Sequence, residues 1–217
     1  MRKRNIFAWL TKLLMTKQID FKDGLIIFFG RPFNIIPHDL IVSITKAMMK
    51  SKENFEYFYF EAWKAGLMTV DIMNKRYKIK TAEERYTLAM DALALAGMGT
   101  YETIRFIPGK ISHFRVYGNP VPLAFYPSPE PVDLFLRGIN AGGGSIVHGR
   151  IINCIELKCA AQNGSFCEYV NGTKEVLFSE PFSEITKKQF PEFEKIYQME
   201  VEYIEQNKDK FSVEIFP

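Results

Sequence analysis

The sequence predicts an α+β protein, because two hydrophobic periods divide it. Apolar residues recur at steps of three and four between about 38 and 97 and again after Pro191. Residues 101–116 and 151–170 instead alternate with a period of two, as hairpins do. A chain of 217 residues, 47% hydrophobic, has the length of one domain with extensions and ample material for a packed core, which excludes disorder.

In chain order, residues 5–17 place Ile6, Trp9, Leu10, Leu13 and Leu14 on one helical face. A basic amphipathic helix of this kind can lie on a membrane, but packing on its own body or on a sister subunit is the expectation. Gly24 to Phe29 is a short β-type run, broken up by Gly30, Pro32 and Pro37. Helices are expected over about 38–51, 54–76 and 81–97. The second carries Phe55, Phe58, Tyr59, Ala62, Trp63, Gly66 and Val70 on a dense stripe, and Thr81-Ala-Glu-Glu84 opens the third with a capping box.

Pro108-Gly109 turns the first hairpin, with His113 inside its second strand. Residues 118–131 hold five prolines and read as an extended connector, and Pro131 suits the first turn of a helix running to about 147. A second hairpin covers 151–160 and 165–170. After Pro191, Phe193, Tyr197, Val201 and Ile204 form one helical stripe.

Charge and cysteine content exclude several classes. A net charge of +3, from 28 basic and 25 acidic residues, predicts no direct nucleic-acid partner. No stretch approaches the roughly 18 uninterrupted apolar residues of a membrane span, and no membrane contact is expected. The N-terminus has the basic start of a signal peptide, but Lys12 interrupts its apolar run and no small-residue cleavage site follows. The three cysteines, Cys154, Cys159 and Cys167, are odd in number and close together, which predicts a reducing, cytoplasmic setting.

The glycine cluster Gly138-Ile-Asn-Ala-Gly142-Gly-Gly144 is no phosphate loop, because Gly144 stands where the lysine belongs. It is no dinucleotide fingerprint either: Val147 stands at the third glycine and a proline-rich connector precedes it. Glycines inside a helix more often let another backbone approach. No Ser-His-Asp or Cys-His set is suggested by spacing.

Cys159 and Cys167 flank Asn163-Gly164, a dipeptide that favours a tight hairpin turn and would bring the two sulfurs together. Paired thiolates invite a soft divalent ion, zinc above all, while a cross-strand disulfide or two inert thiols are the alternatives. Glu156 lies three residues before Cys159, on the opposite face of a regular strand, and can join only where the strand kinks. Cys154 shares a face with Glu156 and is the rival sulfur.

The run Gly138-x-x-x-Gly142, Glu156-x-x-Cys159, Asn163-Gly164 and Cys167 resembles the vinyl-4-reductase domain family, over roughly residues 20–172. The same domain forms the sensor portion of bacterial activators responding to phenols and toluene, and small subunits of vesicle-tethering complexes are more distantly similar. In the aromatic-sensing relatives, a Glu-x-x-Cys, a Cys eight residues later and a Cys five residues before the helix glycine bind zinc. Glu156, Cys159 and Cys167 match three positions. The fourth falls on Asp133, whose carboxylate zinc also accepts, although an aspartate in a first helical turn also complements the helix dipole. Cys154 and His148 are the other candidates for that position. The resemblance implies a closed, structural zinc site.

It further implies a twisted antiparallel sheet backed by helices, paired into a homodimer, with a hydrophobic pocket between sheet and helices. Phe58, Trp63, Phe114 and Phe125 are candidates for its walls, and His113 for a polar group orienting a hydroxyl. The expected organisation is an N-terminal amphipathic helix (1–19), a small-molecule-binding domain (20–180) and a C-terminal helical extension (181–217). The leading function is a zinc-containing regulatory or carrier domain for a small hydrophobic or aromatic ligand. A reductase of a tetrapyrrole vinyl group and a tethering-type scaffold subunit are the alternatives.

Overall fold

The computed structural model describes residues 11, 14–16, 18–28, 31–50 and 55–215. The expected N-terminal helix falls almost wholly outside them. Two compact units divide the chain, residues 1–37 and 38–217.

The first unit is a three-stranded antiparallel meander of β1 (Ile19–Lys22), β2 (Leu25–Phe28) and β3 (Arg31–Phe33). Sequence reading expects only the middle run. Asp23 and Gly24 both adopt positive φ (52° and 78°), the two-residue turn that an Asp-Gly dipeptide favours between paired strands. Pro32 sits on the edge strand, where a missing N–H costs no internal ladder bond.

In the second unit, α1 (His38–Lys50), α2 (Phe55–Tyr77) and α3 (Ala82–Leu95) lie where the periodicity puts them. The capping box is formed: the Thr81 hydroxyl accepts from Glu84 N, and the Glu84 carboxylate accepts from Thr81 N. The sheet follows as β4 (Thr100–Ile107), β5 (Ile111–Tyr117), β6 (Asn153–Lys158) and β7 (Phe166–Gly172), antiparallel in the order β4-β5-β7-β6.

The connector at 118–131 is not wholly extended. Asn119 Oδ1 accepts from Val121 N and, with Pro120 in the first turn, nucleates the short helix α4 (Pro120–Leu123). The glycine-rich helix α5 runs Leu134–His148, three residues later than Pro131 predicts, because Asp133 is its N-cap. It ends at Gly149, left-handed at φ 69°.

The helix glycines work as the sequence predicts. An added Cβ at Gly138 would stand 2.7 Å from the Tyr59 carbonyl oxygen, and one at Gly142 2.8 Å from Leu67 N. Helices α2 and α5 therefore touch backbone to backbone. Trp63, Tyr59, Phe114 and Tyr169 fill the fully buried core around them.

The second hairpin differs from expectation. Asn163-Gly164 is not a two-residue turn; residues Ala160–Asn163 form one helical turn, α6, closed by left-handed Gly164. The Asn163 side chain accepts from Ser165 N and Phe166 N and so favours the turn over strand pairing.

Helices α7 (Lys174–Leu177), α8 (Ser183–Gln189) and α9 (Phe193–Gln206) complete the unit. On α9 the buried stripe is Phe193, Ile196, Glu200 and Ile204, shifted from the predicted Tyr197 and Val201. Gln189 covers edge strand β6: its Oε1 accepts from Glu156 N (2.9 Å) and its Nε2 donates to Glu156 O (2.6 Å). Among the described residues, no helix is long and apolar enough to cross a membrane.

Candidate functional site

Glu156, Cys159 and Cys167 converge. One ligand atom from each lies within 4.8 Å of the other two, all three residues are buried, and among the described residues no other such group occurs. The kink the sequence requires is present: the β6–β7 register shifts between Glu156 and Lys158. Cys159 then stands at the N-cap of α6 instead of continuing the strand, and Cys167 faces it from β7. All three cysteines are free thiols.

The electrostatics of the trio are those of three acidic groups buried close together. Burial pushes Glu156 well above the usual carboxylate range, and the charges of Cys159 and Asp133 push it further. No nitrogen or oxygen donor reaches either Glu156 oxygen; its near neighbours are the two sulfurs. A hydrogen bond from Cys167 lowers the Cys159 thiol to about 6, and backbone bonds at Val132 and Ala161 help. The same bond, with burial, pushes Cys167 up. Ala160 N donates to Cys167 Sγ at 3.2 Å.

Asp133 stands outside this trio. Its Oδ1 accepts from Leu136 N (3.3 Å) and its Oδ2 from Asn119 Nδ2 and Tyr169 OH, both at 2.6 Å. Burial raises it to about 6 against these bonds. Cys154 turns to the Ile155 carbonyl at 3.7 Å, its thiol pushed up by burial. His148 ends the 15-residue α5, about 20 Å from Asp133 at 1.5 Å rise per residue. There it meets Ser112 Oγ at 3.3 Å, and burial, then Arg85, lowers it to about 4.

A cleft of about 910 Å³ borders the trio. Glu156 and Asp133 line it, with Met48 and Met49 of α1, Phe55 and Phe58 of α2, Leu134 and Arg137 of α5, and Ile185 and Lys188 of α8. Of the five aromatic and histidine candidates, Phe58 belongs to this lining. Trp63 is a core residue whose Nε1 donates to Ile152 O at 3.2 Å. Phe114 packs between Tyr101 and Tyr169 in the core. His113 points to the opposite face of the sheet, where it pairs with Glu168 at 3.0 Å beside Arg115. Phe125 lies under Lys46, whose Nζ is 5.7 Å from the ring centroid.

Arg137 is a site residue the sequence reading misses. The one signal was a cation inside an otherwise apolar, glycine-rich helix, one turn after Asp133.

No family model matches the sequence, and comparison with curated proteins finds no match. Among solved structures, the phenol-responsive sensory domain of the transcription activator PoxR, determined with phenol, superposes with a TM-score of 0.67 at 12% identity, covering 87% of this chain and 98% of that one. A vinyl-4-reductase family protein from Methanocaldococcus jannaschii gives a TM-score of 0.43 at 14% identity, covering 79% of this chain and 97% of that one. The resemblance read from Gly138 to Cys167 thus holds in three dimensions: the chain shares the fold of the PoxR sensory domain.

Proposed function

We propose that this chain is a zinc-containing domain that takes a small hydrophobic or aromatic ligand into the cleft beside Glu156, in a regulatory or carrier role. The observation that carries the reading is the cleft itself, a concave space of about 910 Å³ walled by Met48, Met49, Phe55, Phe58, Leu134 and Ile185. That size and apolar character suit a small organic molecule. The PoxR domain, which shares the fold, is described as phenol-responsive, and this supports a ligand-binding role here.

Glu156, Cys159 and Cys167 fit zinc by donor type: two sulfurs, one oxygen, and a carboxylate with no competing hydrogen bond. The ion would clip the β6 bulge, the start of α6 and β7 together beside the cleft. Apolar surface buried by the ligand supplies about 25 cal/mol per Å² before the costs of association.

Elemental analysis and native mass spectrometry on one purified sample test both halves. The expected result is about one zinc per chain and a small apolar molecule released on denaturation or displaced by added aromatics. Metal-free protein whose melting temperature ignores a panel of aromatic compounds would remove the proposal.

A further inference from the structure

Arg137 is a buried cation with no direct ion pair among the described residues; Asp133 feels its charge only at longer range. The residue is buried, only 5% exposed. The Nε donates to Cys154 O at 3.1 Å, and Nη2 has no hydrogen-bond partner. Three rings surround the guanidinium carbon: Phe190 at 4.6 Å, Tyr59 at 5.8 Å and Phe55 at 5.9 Å from their centroids. Among the described residues, no carboxylate comes within 4.0 Å of it. A buried cation without a direct ion pair is costly, and an arginine cannot escape by giving up its proton.

The same side chain lines the cleft. The other charged groups there have different commitments. Glu56 reaches Lys195 at 3.9 Å, Asp133 is held by Asn119 and Tyr169, Glu156 belongs to the sulfur trio, and Glu130 and Lys188 are exposed. The rest of the lining is mostly apolar, with Thr45, Gln162 and Gln189 as its uncharged polar members.

We propose that the cleft binds an amphipathic monoanion: a hydrophobic body lying along Phe55, Phe58, Met48 and Leu134, with a terminal carboxylate accepting from Arg137 Nη2. This rests on the ligand-binding reading above and names the chemical class. A single unpaired guanidinium and four carboxylates in the lining favour a single negative charge over a phosphate dianion. The charge-assisted bond would satisfy Nη2 and neutralise the guanidinium in the low-dielectric space where such bonds are strongest.

Calorimetric titration of the purified full chain at pH 7 with 2-naphthoate and its uncharged analogue 2-naphthamide tests this. The acid should bind at least tenfold more tightly than the amide. Arg137→Met, which removes the charge and keeps the stem, should erase that preference. Met48→Trp fills the cleft from α1 without touching Arg137, and should weaken the acid at least tenfold; it decides the matter if the Arg137 variant does not fold. Equal affinities for acid and amide, a preference that survives Arg137→Met, or binding indifferent to Met48→Trp would each overturn the assignment. Amide binding as tight as the acid would leave the ligand-binding reading standing. Failure of both probes to bind would overturn the assignment and count against that reading too.

Discussion

Gly142 and Trp63 meet main chain to main chain: a methyl group on Gly142 would collide with the Trp63 carbonyl. Helices α2 and α5 have no spare space at this crossing. Gly142→Ala should therefore cost about 3 kcal/mol or more, the upper end of what overpacking a close-packed interior costs, or prevent folding altogether. Urea denaturation followed by circular dichroism measures it, and a midpoint like that of the wild type would contradict the crossing.

Cys167→Ser should release the metal. With one sulfur gone, only two of the three donors remain, too few to hold zinc, and the link between β7 and the start of α6 is lost. Zinc content should fall from about one per chain towards zero, with a clear drop in melting temperature. Full zinc content with unchanged melting would sink the assignment of the trio.

Asp133 should behave as a hub of hydrogen bonds. Asp133→Ala removes the α5 cap and strands two buried donors, Asn119 Nδ2 and Tyr169 OH. The expected cost is about 3–7 kcal/mol, given about 1 for a cap and 1–3 for each of the two buried groups left unsatisfied. Asp133→Asn keeps the cap and should retain the zinc. Loss of zinc in Asp133→Asn, measured by elemental analysis, would make Asp133 a ligand.

Glu200 is fully buried on α9, and its one bonded oxygen accepts from Asn153 Nδ2 at 2.9 Å. Burial raises it well above 4.5, with the Asn153 bond opposing. The folded state thus holds this proton more tightly than the unfolded chain. Its contribution is fully present below the unfolded value and is lost as pH rises towards the folded one. Glu200→Gln, which mimics the protonated acid, should stabilise the protein at pH 8, with the advantage shrinking as pH falls towards 4.5. Denaturation midpoints of both proteins across that range check the sign.

Much of this was legible in the chain. The steps of three and four around Trp63 mark α2, the Thr81-Glu84 pair marks the start of α3, and the glycines of 138–142 mark a helix that accepts another backbone. The convergence of Glu156, Cys159 and Cys167 was legible too, including the condition that β6 must kink after Glu156, which the bulge meets. The turn between the cysteines was not, because Asn-Gly chemistry serves a helix C-cap as well as a hairpin. Nor was the cleft. Its lining comes from α1, α2, α5 and α8, and no local pattern records which residues of distant elements will face one space. Trp63 and Phe114 follow the aromatic stripe correctly and go to the core, which periodicity alone does not distinguish from a pocket wall.

Gln189 gives the trio a reach beyond its own strand. Both main-chain groups of Glu156 bond to that one amide, while the Glu156 carboxyl faces the sulfurs. A single residue is thus both a donor of the cluster and the mooring of the C-terminal helices. An ion held as proposed above would therefore bear on the strand that seats α8.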